Sequence, residues 1–234
     1  MKAVLPHSTA FFPLTAKFPV VQKILSEIPS LSSPDHFQIM RVAAVIVDTN
    51  IRELFIHNGM FSTMVMSEIL TKLSIQHTVR TEAVAVPDLF GPKRVFGHSF
   101  IEIERMHIDL ASQIAPYCAL ANFHGIDPYV KDREKMAALF KTHNIDPQEL
   151  CYFDDKVEVP IEILGRHIAS STLPPAKRFL VVEADAKVTD GFPLEFFRKA
   201  AESPKYYIGG MPPAQRKMWD AVVARGLRTD FFDF

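Results

Sequence analysis

Apolar residues recur at a helical spacing over Pro19 to Ile28, at Val20, Val21, Ile24, Leu25 and Ile28, until Pro29 ends the pattern. A short amphipathic helix is the expectation. Ser33-Pro34-Asp35 then supplies an N-cap, a proline at the first helical position and an acid in the first turn, opening a helix that runs to about Leu54 around a buried middle, Val42 to Val47. His57-Asn58-Gly59 reads as a break. From Met60 to Leu73, the residues Val65, Met66, Ile69, Leu70 and Leu73 share one face, which predicts a central helix. At Thr78 the period changes. Val79, Thr81, Val84 and Val86 predict a strand, and Pro87-Asp88 with Gly91-Pro92 a surface loop after it.

Two segments then alternate, as neighbouring strands do. Val95 to Glu104 sets Ser99, Ile101 and Ile103 on one face and His98, Glu102 and Glu104 on the other. Met106 to Leu110 sets Met106, Ile108 and Leu110 against His107 and Asp109. Further along, the pattern predicts an irregular Pro/Gly-containing stretch over Pro116 to Tyr129 and a helix over Asp132 to His143. A β segment is expected near Val157 to Leu164, a buried strand over Lys177 to Ala184, and helices over Pro193 to Ala201 and Pro212 to Arg225. No fixed-period repeat accompanies them.

Composition narrows the class. The 234 residues fit one α+β domain, divided into a helical lead (1–56), a core (57–112) and an α/β extension (113–234). With 48% apolar and 23% charged residues the chain has the balance of a globular protein. A net charge of -1 gives no field for a nucleic-acid backbone or an anionic membrane surface, so small molecules, peptides or proteins are the expected partners. The N-terminus is broken by Pro6 and Pro13 and lacks a signal-like apolar run, while Ile39 to Val47 is too short to span a bilayer. Two cysteines, Cys118 and Cys151, make no disulfide framework and fit a reducing cytoplasm. The 19 phenylalanines suit core packing with a surface patch for self-association as a homo-oligomer. Nothing calls for a cofactor.

Candidate chemistry concentrates on the two alternating segments. If Glu104 and Arg105 form a two-residue turn, Ile103 faces Met106 and Phe100 faces Asp109. His98 and Asp109 then become diagonal neighbours about 7–8 Å apart, within reach of an imidazole and a carboxylate. Such an acid orients the ring and supports its cationic form, which a general base serving a thiol or hydroxyl requires.

His98-Ser99-Phe100-Ile101-Glu102-Ile103 resembles the His-Ala-Trp-Val-Glu pattern of papain-like and transglutaminase-like cysteine hydrolases, and Ile108-Asp109-Leu110 is similar to their Ile/Val-Asp-Pro/Ala. The match covers Asn58 to Ser112 and implies a papain-like core, with a central helix packed on an antiparallel sheet. The chain resembles a bacterial branch of this superfamily that lacks the usual nucleophilic cysteine. In the superfamily that cysteine opens the central helix, where free N–H groups stabilise a thiolate. Counting back from Ser74-Ile75, which resembles the family's Gly-Ile, puts its position near Gly59, and no cysteine occurs in Asn58-Gly59-Met60-Phe61-Ser62-Thr63.

The resemblance therefore implies His98 as base, Asp109 as its orienting acid, Ser62 as a substitute nucleophile, and backbone donors from Asn58, Gly59, Met60 and Phe61 for an oxyanion. Plainer roles compete. Ser62 in a first helical turn also reads as a cap, and the His98–Asp109 pair as a structural hydrogen bond on a half-exposed sheet face. A permuted order would make Cys151 the nucleophile. A metal site of His98, His107 and Asp109 lacks the spacing that prearranges two histidines, so no metal is expected. Two functions follow: a degenerate hydrolase or acyltransferase, or a non-catalytic ligand- or peptide-binding module that keeps the fold.

Overall fold

The computed structural model describes residues 59–90, 94–103, 106–111, 115–127, 132–153, 180–181, 187–189 and 193–227, with 39, 42, 43 and 46. The expected helix over Pro19 to Ile28 and the β segment near Val157 to Leu164 lie outside them. Of the helix expected from Pro34 to Leu54, Ile39, Val42, Ala43 and Ile46 are described, and all four are helical and buried.

Helix α1 (Gly59–Lys72) has neither proline nor glycine after its first residue, and its side chains from Met60 to Ser67 are all buried. Over these eight residues the helix is covered on all sides rather than on one stripe, as in an interior, and only towards its end do Thr71 and Lys72 reach solvent. It ends where Ser74 turns left-handed at φ 59, with Ile75 N–H donating to Leu70 O at 2.9 Å and Ser74 N–H to Thr71 O at 3.0 Å. That is a Schellman stop.

Strand β1 (Thr78–Ala85) follows at the expected place. Where a loop was expected, Pro87–Phe90 forms a short helix, α2. Proline lacks only an N–H that a first turn leaves unused, and the amides of Leu89 and Phe90 both close back on Val86 O. Strands β2 (Val95–Ile103) and β3 (Met106–Ile108) complete the hairpin. Its register, Ile103 opposite Met106, Glu102 opposite His107 and Ile101 opposite Ile108, is the one a two-residue turn demands. Strand β4 (Leu180–Val181) pairs with the far edge of β1, so the four-stranded sheet runs β3-β2-β1-β4 with every described pairing antiparallel. The expected strand over Lys177 to Ala184 is thus described at two residues.

Helix α3 (Ala115–Phe123) occupies the stretch expected to be irregular. Its glycine, Gly125, comes after the helix and ends it with φ 70 rather than interrupting it. Helix α4 (Arg133–Thr142) matches the expected segment, N-capped by Asp132, which accepts from Lys135 N at 3.1 Å. A 3-10 helix (Pro147–Phe153) and helices α5 (Leu194–Glu202), α6 (Pro204–Gly209) and α7 (Pro213–Gly226) follow, α6 being unforeseen.

One hydrophobic cluster joins Ile39 and Ile46 to α1, the inner residues of β2 and β3, α3, α4 and α7. Helix α7 packs directly on α1. Trp219 stands edge-on to Phe61 with centroids 5.5 Å apart and donates its Nε1–H to Glu68 Oε2 at 2.5 Å, while Gly226 lets Ile69 approach closely. The chain is therefore a mixed α+β structure in which the C-terminal extension holds the central helix. Among the described residues no helix is long and apolar enough to cross a membrane.

Candidate functional site

The start of α1 and the middle of β2 come together at one point. Thr63, one turn into the helix, donates its hydroxyl to Ser99 O of β2 at 2.9 Å. One position before Ser99, His98 points to the opposite side of the strand, and alternation brings it to the face that carries Asp109, just past the end of β3.

The two expected partners meet: His98 Nε2 lies 2.6 Å from Asp109 Oδ2. An ionised carboxylate only accepts, so Nε2 carries the proton and, in the neutral ring, Nδ1 is left as the acceptor. The second carboxylate oxygen, Oδ1, accepts from the Ala111 amide at 3.2 Å, closing an Asx turn that fixes the acid's orientation. Asp-Leu-Ala is the sequence signal for that turn, and it had no part in the expectation.

Burial departs from what alternation alone suggests. The His98 face is solvated near Arg80, which lies 3.6 Å from Glu82 Oε1 and 3.4 Å from Glu102 Oε2. Around the pair it is closed, with His98 7% and Asp109 1% exposed. The pair is thus a covered ion-pair geometry and not one on a half-exposed surface. Buried charges demand partners, and both carboxylate oxygens have one.

On the ring's other side stands the first residue of α1. A Cβ built on Gly59 would lie 3.8 Å from His98 Nδ1 and 3.7 Å from Cε1. The residue in the place where the resemblance puts a nucleophile is therefore glycine, with no side chain to offer. That added carbon would also meet the Ala111 methyl at 3.3 Å, so Ala111 shapes the same small space. The role of Ala111 carried no sequence signal beyond its distance from Asp109.

The other expected residues divide. Ser62 lies in the first turn of α1 with 0% exposure. Met60 and Phe61 send their side chains into the core, so they contribute backbone amides only at the helix start. Asn58 lies outside the described residues. Cys118 is fully buried in α3, and burial pushes its thiol far above the ordinary range. The side chain of Cys151 lies outside the described residues.

The metal reading of His98, His107 and Asp109 is not supported by the placement. Phe100 sets its ring against both imidazoles, stacked on His107 at 5.1 Å and tilted to His98 at 6.4 Å. Among the described residues no group of three or more His, Cys, Asp or Glu is placed to hold an ion.

Compared with models of protein families, with curated proteins and with solved structures, the chain matches none.

Proposed function

We propose that this chain is a papain-like or transglutaminase-like hydrolase core whose nucleophile position is held by Gly59, and that it acts as a non-catalytic module binding a small molecule or peptide. One observation carries the reading. The imidazole of His98 is clamped on one side by Asp109 and faces glycine at the amino end of a buried helix on the other. A base and a nucleophile must lie within hydrogen-bond reach, and glycine leaves the base nothing in that helix position to deprotonate. Ser62, fully buried, is poorly placed for attack on a ligand from solvent.

Labelling with thiol-directed epoxides and hydroxyl-directed fluorophosphonates tests the reading. The unaltered chain is expected to show no labelling that depends on His98. A chain carrying Gly59→Cys is expected to become reactive, because a thiol there sits at a helix N-terminus beside an imidazole, the two influences that favour a thiolate. Adding His98→Ala to that chain should slow the reaction. Fluorophosphonate labelling of the unaltered chain that disappears in both Ser62→Ala and His98→Ala would instead establish a serine hydrolase or acyltransferase.

A further inference from the structure

Two helices of the chain end with five-residue signals that agree at four positions. His124-Gly125-Ile126-Asp127-Pro128 closes α3 and His143-Asn144-Ile145-Asp146-Pro147 closes α4. The stop itself needs the second and third residues of each. Gly125 and Asn144 take left-handed φ values of 70 and 52, and Ile126 and Ile145 fold back to donate to Ala121 O at 2.8 Å and Phe140 O at 2.9 Å. Both isoleucines then pack on the main core. Histidine is not demanded by this geometry, yet it precedes the turn in both.

The two stops converge. The imidazoles of His124 and His143 lie with centroids 5.3 Å apart at an interplanar angle of 69°. His124 is exposed and His143 half-buried, so the pair opens to solvent. Two imidazoles bound to one tetrahedral zinc at about 2.0–2.1 Å place their ring centroids about 5 Å apart, and the observed centroid spacing falls in that range. Each ring also sits at a helix C-terminus, where uncovered carbonyls carry partial negative charge and favour a cation. Backbone bonds fix both: His124 N–H donates to Leu120 O at 3.2 Å and His143 N–H to Leu139 O at 3.1 Å.

We infer that His124 and His143 form a two-histidine site for a borderline divalent transition ion such as Zn2+. Imidazole nitrogen suits zinc, copper and nickel and not magnesium or calcium. Among the described residues no third His, Cys, Asp or Glu joins the pair. The remaining positions on the ion therefore fall to water or to an exogenous ligand, and the site exchanges its metal readily. It stands apart from His98 and Asp109 and does not rest on the function proposed for them.

Isothermal titration of the full chain with ZnCl2, with MgCl2 as the comparison, tests the inference. One saturable zinc equivalent is expected, with no magnesium binding. Loss of a group that merely supports a metal ligand costs about 10–100-fold in affinity, so His124→Ala and His143→Ala should each weaken zinc binding by at least about tenfold. Metal-free thermal melts of both variants, expected to match the unaltered chain, separate lost ligation from lost folding. Zinc binding of unchanged affinity in either folded variant, or no saturable zinc uptake by the unaltered chain, overturns the site and leaves an aromatic contact between two helix ends.

Discussion

The ring of Phe197 occupies the space that a side chain at Gly97 would need: a Cβ built there would meet its Cε2 and Cδ2 well inside van der Waals contact. This contact seats α5 on β2 one residue before His98, so the strand that presents the imidazole is held from its opposite face. Gly97→Ala should force the ring aside and destabilise the fold by about 1–3 kcal/mol, the usual cost of overpacking. A urea titration followed by circular dichroism measures it. An unchanged midpoint would mean that α5 does not pack there.

His98 and Asp109 should be coupled energetically, because each is buried and each completes the other. A double-mutant cycle with His98→Phe and Asp109→Asn is expected to give about 1.5–3 kcal/mol, the range for a hydrogen bond to a charged group. Coupling indistinguishable from zero would show that the two groups do not meet in solution.

Ser74 holds the left-handed position that ends α1, at φ 59. A Cβ is penalised there and glycine is not, so Ser74→Gly should raise stability by about 0.5–1 kcal/mol despite the entropy glycine adds to the unfolded chain. Thermal unfolding reads the sign directly, and a loss of stability would contradict the stop.

Cys118 should make stability fall at alkaline pH. Burial raises its folded pKa above the ordinary 9.0, so the unfolded chain releases a thiol proton that the folded chain keeps. Above that ordinary value the unfolded state binds fewer protons, and unfolding becomes easier as pH rises. In a Cys151→Ser background, Cys118→Ala should flatten this alkaline slope between pH 8 and 10. Alkylation of Cys118 in that background should occur only as fast as the protein opens, because the thiol is covered and protonated while folded.

Much of the site was legible in β2 and β3 because side chains alternate with a period of two. Once Glu104 and Arg105 are taken as the turn, Ile103 must face Met106, and His98 and Asp109 must fall on one face as diagonal neighbours. The same local logic located α1, α4 and α7 within a residue or two, since proline, glycine and capping aspartate mark their ends. It failed at α3, where the proline and glycine that suggested irregular chain lie at the helix's first turn and past its last. Near β1 it failed again, because Pro87 starts a helical turn as readily as it starts a loop.

What the sequence determined by itself was therefore periodicity and punctuation: which residues share a face, where elements stop, and that no cysteine precedes the helix. Packing between distant elements was needed to close the His98 face around the pair, with Asp109 pinned through the Ala111 amide, and to bring Gly59 beside Nδ1. Facing and spacing along one element are set by backbone geometry between near neighbours. Burial and opposition across elements depend on residues far apart in the chain, such as Trp219 on Phe61 and Phe197 on Gly97, whose meeting no local pattern encodes.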